Sequence, residues 1–392
     1  MTQNQDRTNW VDNLRSFITV LVVAHHSSLA YTTFAHFNKE AYITSTHPIV
    51  DAARSRGLDI FEDFNDIFFM SLMFLIGGIF MSPGLRNKGV PVFIRDRFYR
   101  LFIPFIIGVT ILMLLAYYPA YYLAHGQHDL RDYIVDYFTV EAWPVGPPWF
   151  IWVLFLFNIV FAVCFPLIKD SPMAPGAWLT AQSQRPWKLL LCWYLLTWLL
   201  YMPMALFIDP GMWTGIGPFD FQVSRIFLYF GYFLLGAVIG VPGLRNGIFS
   251  ADSRLVRMWP VWAAAAVFVY ALLKGSETPL RTMIGRGELS YFNANLLYRS
   301  VWTLSCTLSC MAFLTTFRSI FNITGSIWKS LSANAYGIYL VHYIFVIWCQ
   351  YFLLDIDMAA LLKFLITVVL SVTFSWALTW ILRRNGLIRR YL

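Results

Sequence analysis

The chain has 392 residues, of which 58% are hydrophobic and 13% are charged, and its formal net charge is +8. Soluble globular domains carry about 25% charged residues. This composition, with a mean hydropathy of +0.59, excludes an ordinary soluble domain and indicates a membrane protein.

Ten apolar segments are long enough to cross a bilayer as helices, because about 20 apolar residues span its hydrocarbon core. In chain order they cover 14–35, 66–82, 102–123, 149–168, 187–208, 222–241, 258–273, 293–316, 333–354 and 359–382. The pattern predicts an all-α polytopic integral membrane protein with about ten transmembrane helices. The connecting segments are too short to build a separate soluble core, so residues 1–392 are predicted to form a single transmembrane domain.

The Lys and Arg residues alternate between connections, as the positive-inside rule requires of real membrane spans. With the N-terminus inside, the inner segments contain most of the 29 basic residues, namely Arg7, Arg15, Arg86, Lys88, Arg95, Arg97, Arg100, Lys169, Arg185, Lys188, Arg245, Arg254, Arg257, Arg318, Lys329, Arg383, Arg384, Arg389 and Arg390. Both termini are therefore predicted to be cytoplasmic. The excess of basic over acidic residues then reflects the orientation of the protein in the membrane, and no nucleic-acid partner is expected.

Two ionisable residues lie inside the first apolar segment, Arg15 near one interface and His26 in the interior. Eleven residues separate them, which is about 16 Å of helical rise and places both on one face. An ionisable group at this depth is a functional hypothesis by default. A buried histidine can act as a general base, and an arginine can hold an anion. The structural alternative is that Arg15 snorkels or pairs with Asp12 while His26 bridges two helices.

Three arginines, Arg95, Arg97 and Arg100, lie at the inner mouth of the third span. Arg97 and Arg100 are three residues apart and share a helix face, so together they can clamp phosphate groups. The alternative is that these residues are ordinary positive flanking charges of a membrane helix.

A second histidine, His342, lies in the ninth span about ten residues from its inner end, which is about 15 Å deep. His26 and His342 are therefore predicted at nearly one level, which suggests that they face one cavity. A histidine that simply satisfies its hydrogen bonds in the core is the alternative for His342.

Considered together, the motifs resemble the acyltransferase-3 family of bacterial integral membrane acyltransferases, whose members acylate envelope carbohydrates. The match spans nearly the whole chain, and its order, spacing and sidedness make it specific. Its parts are Asp12, Leu14 and Arg15 with the Arg-x10-His step to His26, Phe74-Leu-Ile-Gly-Gly78-Ile-Phe80, Arg97-x-x-Arg100 with Pro104, Pro148-Trp149-Phe150-Ile-Trp152, and Tyr339-Leu-Val-His342. The sequence departs from the family at Gly77-Gly78, where a Ser-Gly pair is frequent, so no hydroxyl role is expected there.

The resemblance implies specific roles for these residues. His26 would be the catalytic base, with Arg15 as its companion and His342 as a third member. Arg97 and Arg100, with Arg95 beside them, would hold the phosphates of an acyl-CoA donor that enters from the cytoplasm. The resemblance also implies a location in the bacterial inner membrane.

We therefore predict a membrane O-acyltransferase that moves an acyl group, acetyl or succinyl, from acetyl-CoA or succinyl-CoA to a hydroxyl of a carbohydrate or glycolipid. No metal is expected. His26 would deprotonate the acceptor directly, or alternatively carry the acyl group as a covalent acyl-histidine. The alternative function is that of a transporter or flippase for an anionic or amphipathic solute, in which the same Arg and His residues would form a relay.

Overall fold

The computed structural model describes residues 9–126, 128–139, 143–168 and 173–391. Arg7 and Lys169, two of the charges that were used to predict sidedness, lie outside the described residues. The elements in chain order are α1 Asn9–Leu29, α2 Arg56–Ile79, α3 Met81–Lys88, α4 Val90–His125, α5 Leu130–Thr139, α6 Trp149–Ile168, α7 Met173–Ala181, α8 Pro186–Phe207, β1 Trp213–Thr214, β2 Phe221–Gln222, α9 Ile226–Gly240, α10 Arg254–Arg257, α11 Trp259–Gly285, α12 Tyr291–Ser319, α13 Ser326–Leu353, α14 Ala360–Leu382 and α15 Gly386–Tyr391.

The predicted all-α polytopic fold is confirmed. Nine helices of the described chain are long and apolar enough to span a membrane, and α1 is not among them. The reason is the polar content of α1, which carries Asp12, Arg15 and the run from His25 to Ser28. This helix can be polar because it is central: it packs against α2, α12, α13 and α14 and so has little contact with lipid.

The outward surfaces of the other helices have the opposite character. Large apolar side chains such as Phe268 on α11 and Val369 on α14 are 69% and 61% exposed. A monomeric soluble protein does not present apolar surface on this scale. These helices therefore face lipid.

Several of the predicted spans differ in their bounds from the helices: α4 begins at Val90 rather than at 102, and α13 begins at Ser326 rather than at 333. The first helix ends at Leu29 rather than at 35, because residues 30–35 turn back and bond the following loop, as in the 3.0 Å bond from the Asp51 N–H to the Ala30 carbonyl. Helices α2 and α11 extend about ten residues beyond their apolar windows, from Arg56 and to Gly285. A hydropathy window stops at charges, whereas these charges are paired inside the protein.

Glycine fixes the closest helix contact of the bundle. A Cβ atom at Gly78 on α2 would lie 2.0 Å from the Phe233 carbonyl oxygen of α9, and one at Gly240 would lie 1.9 Å from the Ile79 carbonyl oxygen. Only a residue without a side chain permits this approach, in the manner of small-residue contacts between membrane helices. Gly78 of the sequence motif thus allows α2 to pack closely against α9.

Helix α4 is continuous but contains two π-helical turns, Phe98–Phe102 and Gly108–Leu112. Pro104 lies between them and has no N–H to donate to the Arg100 carbonyl. That carbonyl instead accepts a hydrogen bond of 2.6 Å from the Tyr336 hydroxyl of α13. This hydrogen bond ties the turn of α4 that carries Arg100 to α13, the helix that carries His342.

The start of α1, the start of α13 and the end of the chain meet at one end of the bundle. The Asn13 amide donates to the Phe321 and Ile323 carbonyls at 2.7 and 3.1 Å. The Arg100 guanidinium donates to the Arg390 carbonyl at 3.4 Å. Both ends of the described chain therefore lie at the same end of the bundle, which we call the basic end; the other is the opposite end.

Candidate active site

A cavity of about 1160 Å³ occupies the basic end, between α1, α2, α4, α6, α13 and the C-terminal segment. We call it the basic cavity, because among its described lining residues Asp12 is the one acid. Its basic lining residues are Arg15, Arg97, Arg100, Lys329, Arg383, Arg389 and Arg390. So dense an excess of positive charge in one concavity favours a ligand with several negative charges.

Arg15 lines this cavity from the second turn of α1. Its Nη2 lies 3.2 Å from Asp12 Oδ1 and 3.5 Å from both the carbonyl and the hydroxyl oxygen of Ser332 on α13. These contacts orient the guanidinium across the gap between the two helices. The side chain is still 40% exposed, so part of it remains accessible to a ligand in the cavity.

The structure brings Arg97 and Arg100 into the cavity together, although the π-helical turn begins between them. Arg97 lies 4.7 Å from the centre of the Phe93 ring, a cation–π contact that fixes its direction. Arg95 is placed differently: its side chain is exposed and does not line the cavity. A role for Arg95 in donor binding stays a prediction.

The C-terminal segment supplies three further cations that the sequence indicated only as flanking charges. Arg383 follows the last residue of α14, and Arg389 and Arg390 belong to the short helix α15. Burial, and then the nearby charge of Arg389, lowers the pKa of Arg383. Two cations held this close at the basic end are ready to be neutralised by a bound anion.

The cavity is deep along two helices. Its lining runs from Asn9 to Thr19 on α1 and from Lys329 to Tyr339 on α13, each about 15 Å of helical rise. Tyr339 closes the inner end, and its hydroxyl donates to the Pro147 carbonyl in the loop before α6. His26 and His342 lie beyond this tyrosine and do not line the cavity.

The two predicted histidines meet, and their ring centroids are 5.3 Å apart. His26 lies in the last turn of α1 and His342 near the middle of α13. The Tyr343 ring packs edge-on against His26 at 5.2 Å. The expectation of two histidines at one level is therefore confirmed as geometry.

Each of these histidines has a ring nitrogen without a hydrogen-bond partner among the described residues, Nδ1 in His26 and Nε2 in His342. The other nitrogen of His342, Nδ1, donates to the Tyr339 carbonyl at 2.6 Å, since a carbonyl can only accept. That bond leaves Nε2 of His342 as the atom that can take a proton. Two buried nitrogens that lack partners are unusual in a structural core and typical of a reactive site.

The backbone around His26 is fixed by Gln350 of α13, which His47 of the loop after α1 bonds in turn. The Gln350 amide donates to the His26 and Ser27 carbonyls at 3.3 and 3.2 Å, and its oxygen bonds His47 Nε2 at 2.8 Å. His47 is buried, and this burial, with the nearby His25, lowers the pKa of His47 to about 4 although the bond to Gln350 opposes it.

Sequence reasoning missed a second group of polar residues beside the histidines. His25 is 5.4 Å from His26 between ring centroids, and its Nε2 lies 3.9 Å from Glu62 Oε1 on α2. Asp66, one turn further along α2, pairs with Arg225 just before α9. The spacing of Glu62 and Asp66 by four residues was the available signal, but the predicted span began at 66 and so excluded Glu62.

Comparison with known proteins agrees with this architecture. A family model described as an acyltransferase domain matches residues 8–380. No solved structure matches the chain.

Several curated relatives carry the name glucans biosynthesis protein C. The protein of Escherichia coli O6:K15:H31 is 22% identical over 269 residues, and that of Salmonella typhimurium is 24% identical over 278 residues. Each match covers 68% of this chain and 66% of the relative. The chain therefore spans just under two thirds of the length of the curated relatives it matches.

Proposed function

Because this chain belongs to the acyltransferase-3 family and is a multi-pass membrane acyltransferase, we propose that it moves an acyl group from acyl-CoA to a hydroxyl of a cell-envelope carbohydrate. The observation that carries the proposal is the basic cavity, which leads from the basic end toward two histidines with unpartnered nitrogens. The acyl group is acetyl or succinyl. The membrane is the bacterial inner membrane, with the basic end in the cytoplasm.

The basic cavity suits the donor in charge and in size. The phosphates of acyl-CoA would lie among Arg97, Arg100 and the C-terminal arginines, which can form charge-assisted hydrogen bonds with them. The volume of about 1160 Å³ exceeds the roughly 300–1000 Å³ of pockets for drug-sized ligands, as a nucleotide with a long arm requires.

Arg15 belongs with the donor-binding residues rather than with the reacting atoms. It is separated from His26 by about 16 Å of helical rise, so the two side chains cannot contact the same bond. The partly exposed guanidinium of Arg15 lines the basic cavity, where it would contact the donor's phosphates.

His26 is the base in this proposal. It takes the proton of the acceptor hydroxyl as the oxygen attacks the thioester carbonyl, and the carbon–sulfur bond then breaks. The departing thiolate needs a proton, and His342 lies on the donor side of the pair, one turn from Tyr339. The proton therefore passes from His26 to Nε2 of His342 and on to the sulfur, so the reaction releases no net proton.

The donor's thioester has to pass Tyr339 to reach the histidines. The hydroxyl of this residue bonds to the Pro147 carbonyl, so rotating its side chain costs one hydrogen bond. We infer that donor binding displaces Tyr339. While no donor is bound, Tyr339 keeps the inner end of the basic cavity closed, and this protects the site from water.

The acceptor is proposed to be a glucan. This rests on the printed name of the curated relatives together with the family membership.

The test uses the purified full chain in lipid nanodiscs with radiolabelled acetyl-CoA or succinyl-CoA and a soluble glucan oligosaccharide. We expect label transfer by the wild type and its loss, by about 100-fold or more, in His26→Ala. The matched control is His36→Ala, because His36 is an exposed loop histidine. Equal activity in His26→Ala and the wild type would refute the assignment, as would a wild type that neither binds nor cleaves either thioester.

A further inference from the structure

Four carboxylates follow one face of α2 from the opposite end toward the histidines: Asp59, Glu62, Asp63 and Asp66. Their spacing of three, four and seven residues is that of neighbours on a helix surface. Asp59 accepts two hydrogen bonds from Thr33, one from its N–H at 2.7 Å and one from its hydroxyl at 2.5 Å. These bonds fix the loop that follows α1. The other three lie deeper, where carboxylates need a reason to be retained.

Basic side chains from other helices face these carboxylates. Lys274 on α11 pairs with Asp63 and with Glu277. The Arg225 guanidinium makes two parallel bonds to the Asp66 carboxylate, at 2.9 and 2.5 Å. Carboxylates outnumber the two cations, so the group disfavours an anionic ligand, while the ion pairs reduce its attraction for a cation.

The polar group is open on one side. The Asp63 and Asp66 side chains are 41% and 39% exposed, whereas their partner Arg225 is only 7% exposed. We call the partly exposed group of Glu62, Asp63, Asp66, Arg225 and Lys274 the polar crevice. The ion pairs thus hold the carboxylates in place from the protein interior, while the side chains of Asp63 and Asp66 remain partly accessible.

Two nearly buried side chains, one in the wall of the crevice and one next to Glu62, have a polar atom without a partner among the residues the structure describes. They are His25 at Nδ1 and Arg225 at Nε, and the two residues are 7% and 6% exposed. A buried donor or acceptor left without a partner is destabilising, so it is usually satisfied by a ligand or by water. These two atoms point to a ligand that offers several hydrogen-bonding groups.

The floor of the crevice adjoins the proposed catalytic pair. Glu62 is 3.9 Å from His25 Nε2, and the His25 ring is 5.4 Å from that of His26. The basic cavity approaches the same histidines from the other end of the bundle, past Tyr339. A substrate in the crevice and one in the cavity would therefore meet at His26 from opposite sides.

We propose that the polar crevice is the acceptor site and that it binds a neutral carbohydrate. This inference rests on the proposed acyl transfer and adds the place and the residues of acceptor recognition. The carboxylates of Glu62, Asp63 and Asp66 accept hydrogen bonds from sugar hydroxyls, and the Arg225 and Lys274 side chains donate to sugar oxygens. A polyol suits this set because each hydroxyl both donates and accepts. The rings of Tyr270 and Tyr298, whose hydroxyls bond the Ile60 carbonyl and Glu277, stand beside these groups.

The test compares Glu62→Gln with the wild type in full-length protein in nanodiscs. Glutamine keeps the shape of Glu62 but replaces one carboxyl oxygen with an NH2 group, which cannot accept from a sugar hydroxyl, so we expect the KM for a glucan oligosaccharide to rise by about 10-fold or more. Donor affinity, measured with the nonhydrolysable thioether analogue of acetyl-CoA, is expected to stay unchanged. Glu288→Gln is the matched control, because Glu288 is an exposed glutamate outside the crevice.

A second variant guards against misfolding of the first. Asp63→Asn alters a carboxylate that is 41% exposed, and it should raise the same KM without changing donor affinity. An unchanged acceptor KM in both variants would overturn the acceptor site while leaving the proposed function intact. Failure of the wild type to bind or cleave the thioester would instead remove the proposed function.

Discussion

The centroids of the His26 and His342 imidazole rings lie 5.3 Å apart although the two residues are 316 positions apart in the chain. His342 is held in one tautomer by its bond to the Tyr339 carbonyl, and the nitrogens His26 Nδ1 and His342 Nε2 have no partner in the described part of the chain. This arrangement separates two possible roles for His342, because a structural role needs only Nδ1 whereas a proton-transfer role needs Nε2.

The first prediction uses this difference. In His342→Asn the side-chain amide can still donate to the Tyr339 carbonyl, but nothing replaces Nε2. We expect transfer to fall by about 100-fold while the melting temperature in detergent stays close to that of the wild type. Steady-state kinetics and thermal unfolding check the two parts. Full activity in His342→Asn would show that only the Nδ1 bond matters.

The second prediction concerns the C-terminal arginines. Arg383 lines the basic cavity, whereas its neighbour Arg384 lies against the Trp380 ring at 3.9 Å and does not line it. We expect Arg383→Gln to weaken acyl-CoA binding several-fold at low salt, and less at high salt because ions screen exposed charges. Calorimetric titration at two salt concentrations measures this. An equal loss in Arg384→Gln would indicate a general surface-charge effect instead.

The third prediction concerns the α2 and α9 contact. In Gly78→Ala the new methyl group would lie 2.0 Å from the Phe233 carbonyl oxygen, and backbone must move to admit it. Overpacking of this kind costs about 1–3 kcal/mol or more. At Gly77 a Cβ would meet only the flexible end of Leu154, at 2.9 Å. Thermal unfolding should therefore show a large loss for Gly78→Ala and a small one for Gly77→Ala; equal losses would contradict the proposed helix contact.

The fourth prediction concerns pH. Burial lowers the pKa of His47 to about 4, whereas the unfolded chain takes up this proton near pH 6.5. The stabilisation is therefore complete above about pH 6.5 and is lost as the pH falls toward 4, with about 2 kcal/mol lost at pH 5. Thermal unfolding at pH 7.5 and pH 5 should show a smaller difference in His47→Gln than in the wild type. His36→Gln, which changes an exposed loop histidine, should behave as the wild type; the same pH dependence in His47→Gln would contradict the prediction.

The sequence determined much of the site through two kinds of local signal. The energetic cost of Arg15 and His26 in an apolar segment predicted a functional role for α1, and the structure shows that α1 lies in the centre of the bundle. The three-residue step from Arg97 to Arg100 placed two cations on one face, and both line the basic cavity. Such signals are local because helix geometry fixes them within a few turns.

Sequence by itself thus determined the helical fold, the approximate positions of the nine long apolar helices of the described chain and the clustering of cations at one end, because apolar length and charge distribution are properties of single segments. Tertiary structure alone decided which charges are paired, as Lys274 with Asp63 and Arg225 with Asp66, and hence where α2 and α11 begin and end. It also decided that His342 meets His26 and that Arg95 stays outside the cavity. Hydropathy measures the cost of placing a charge in lipid, but only the folded bundle supplies the partner that offsets that cost.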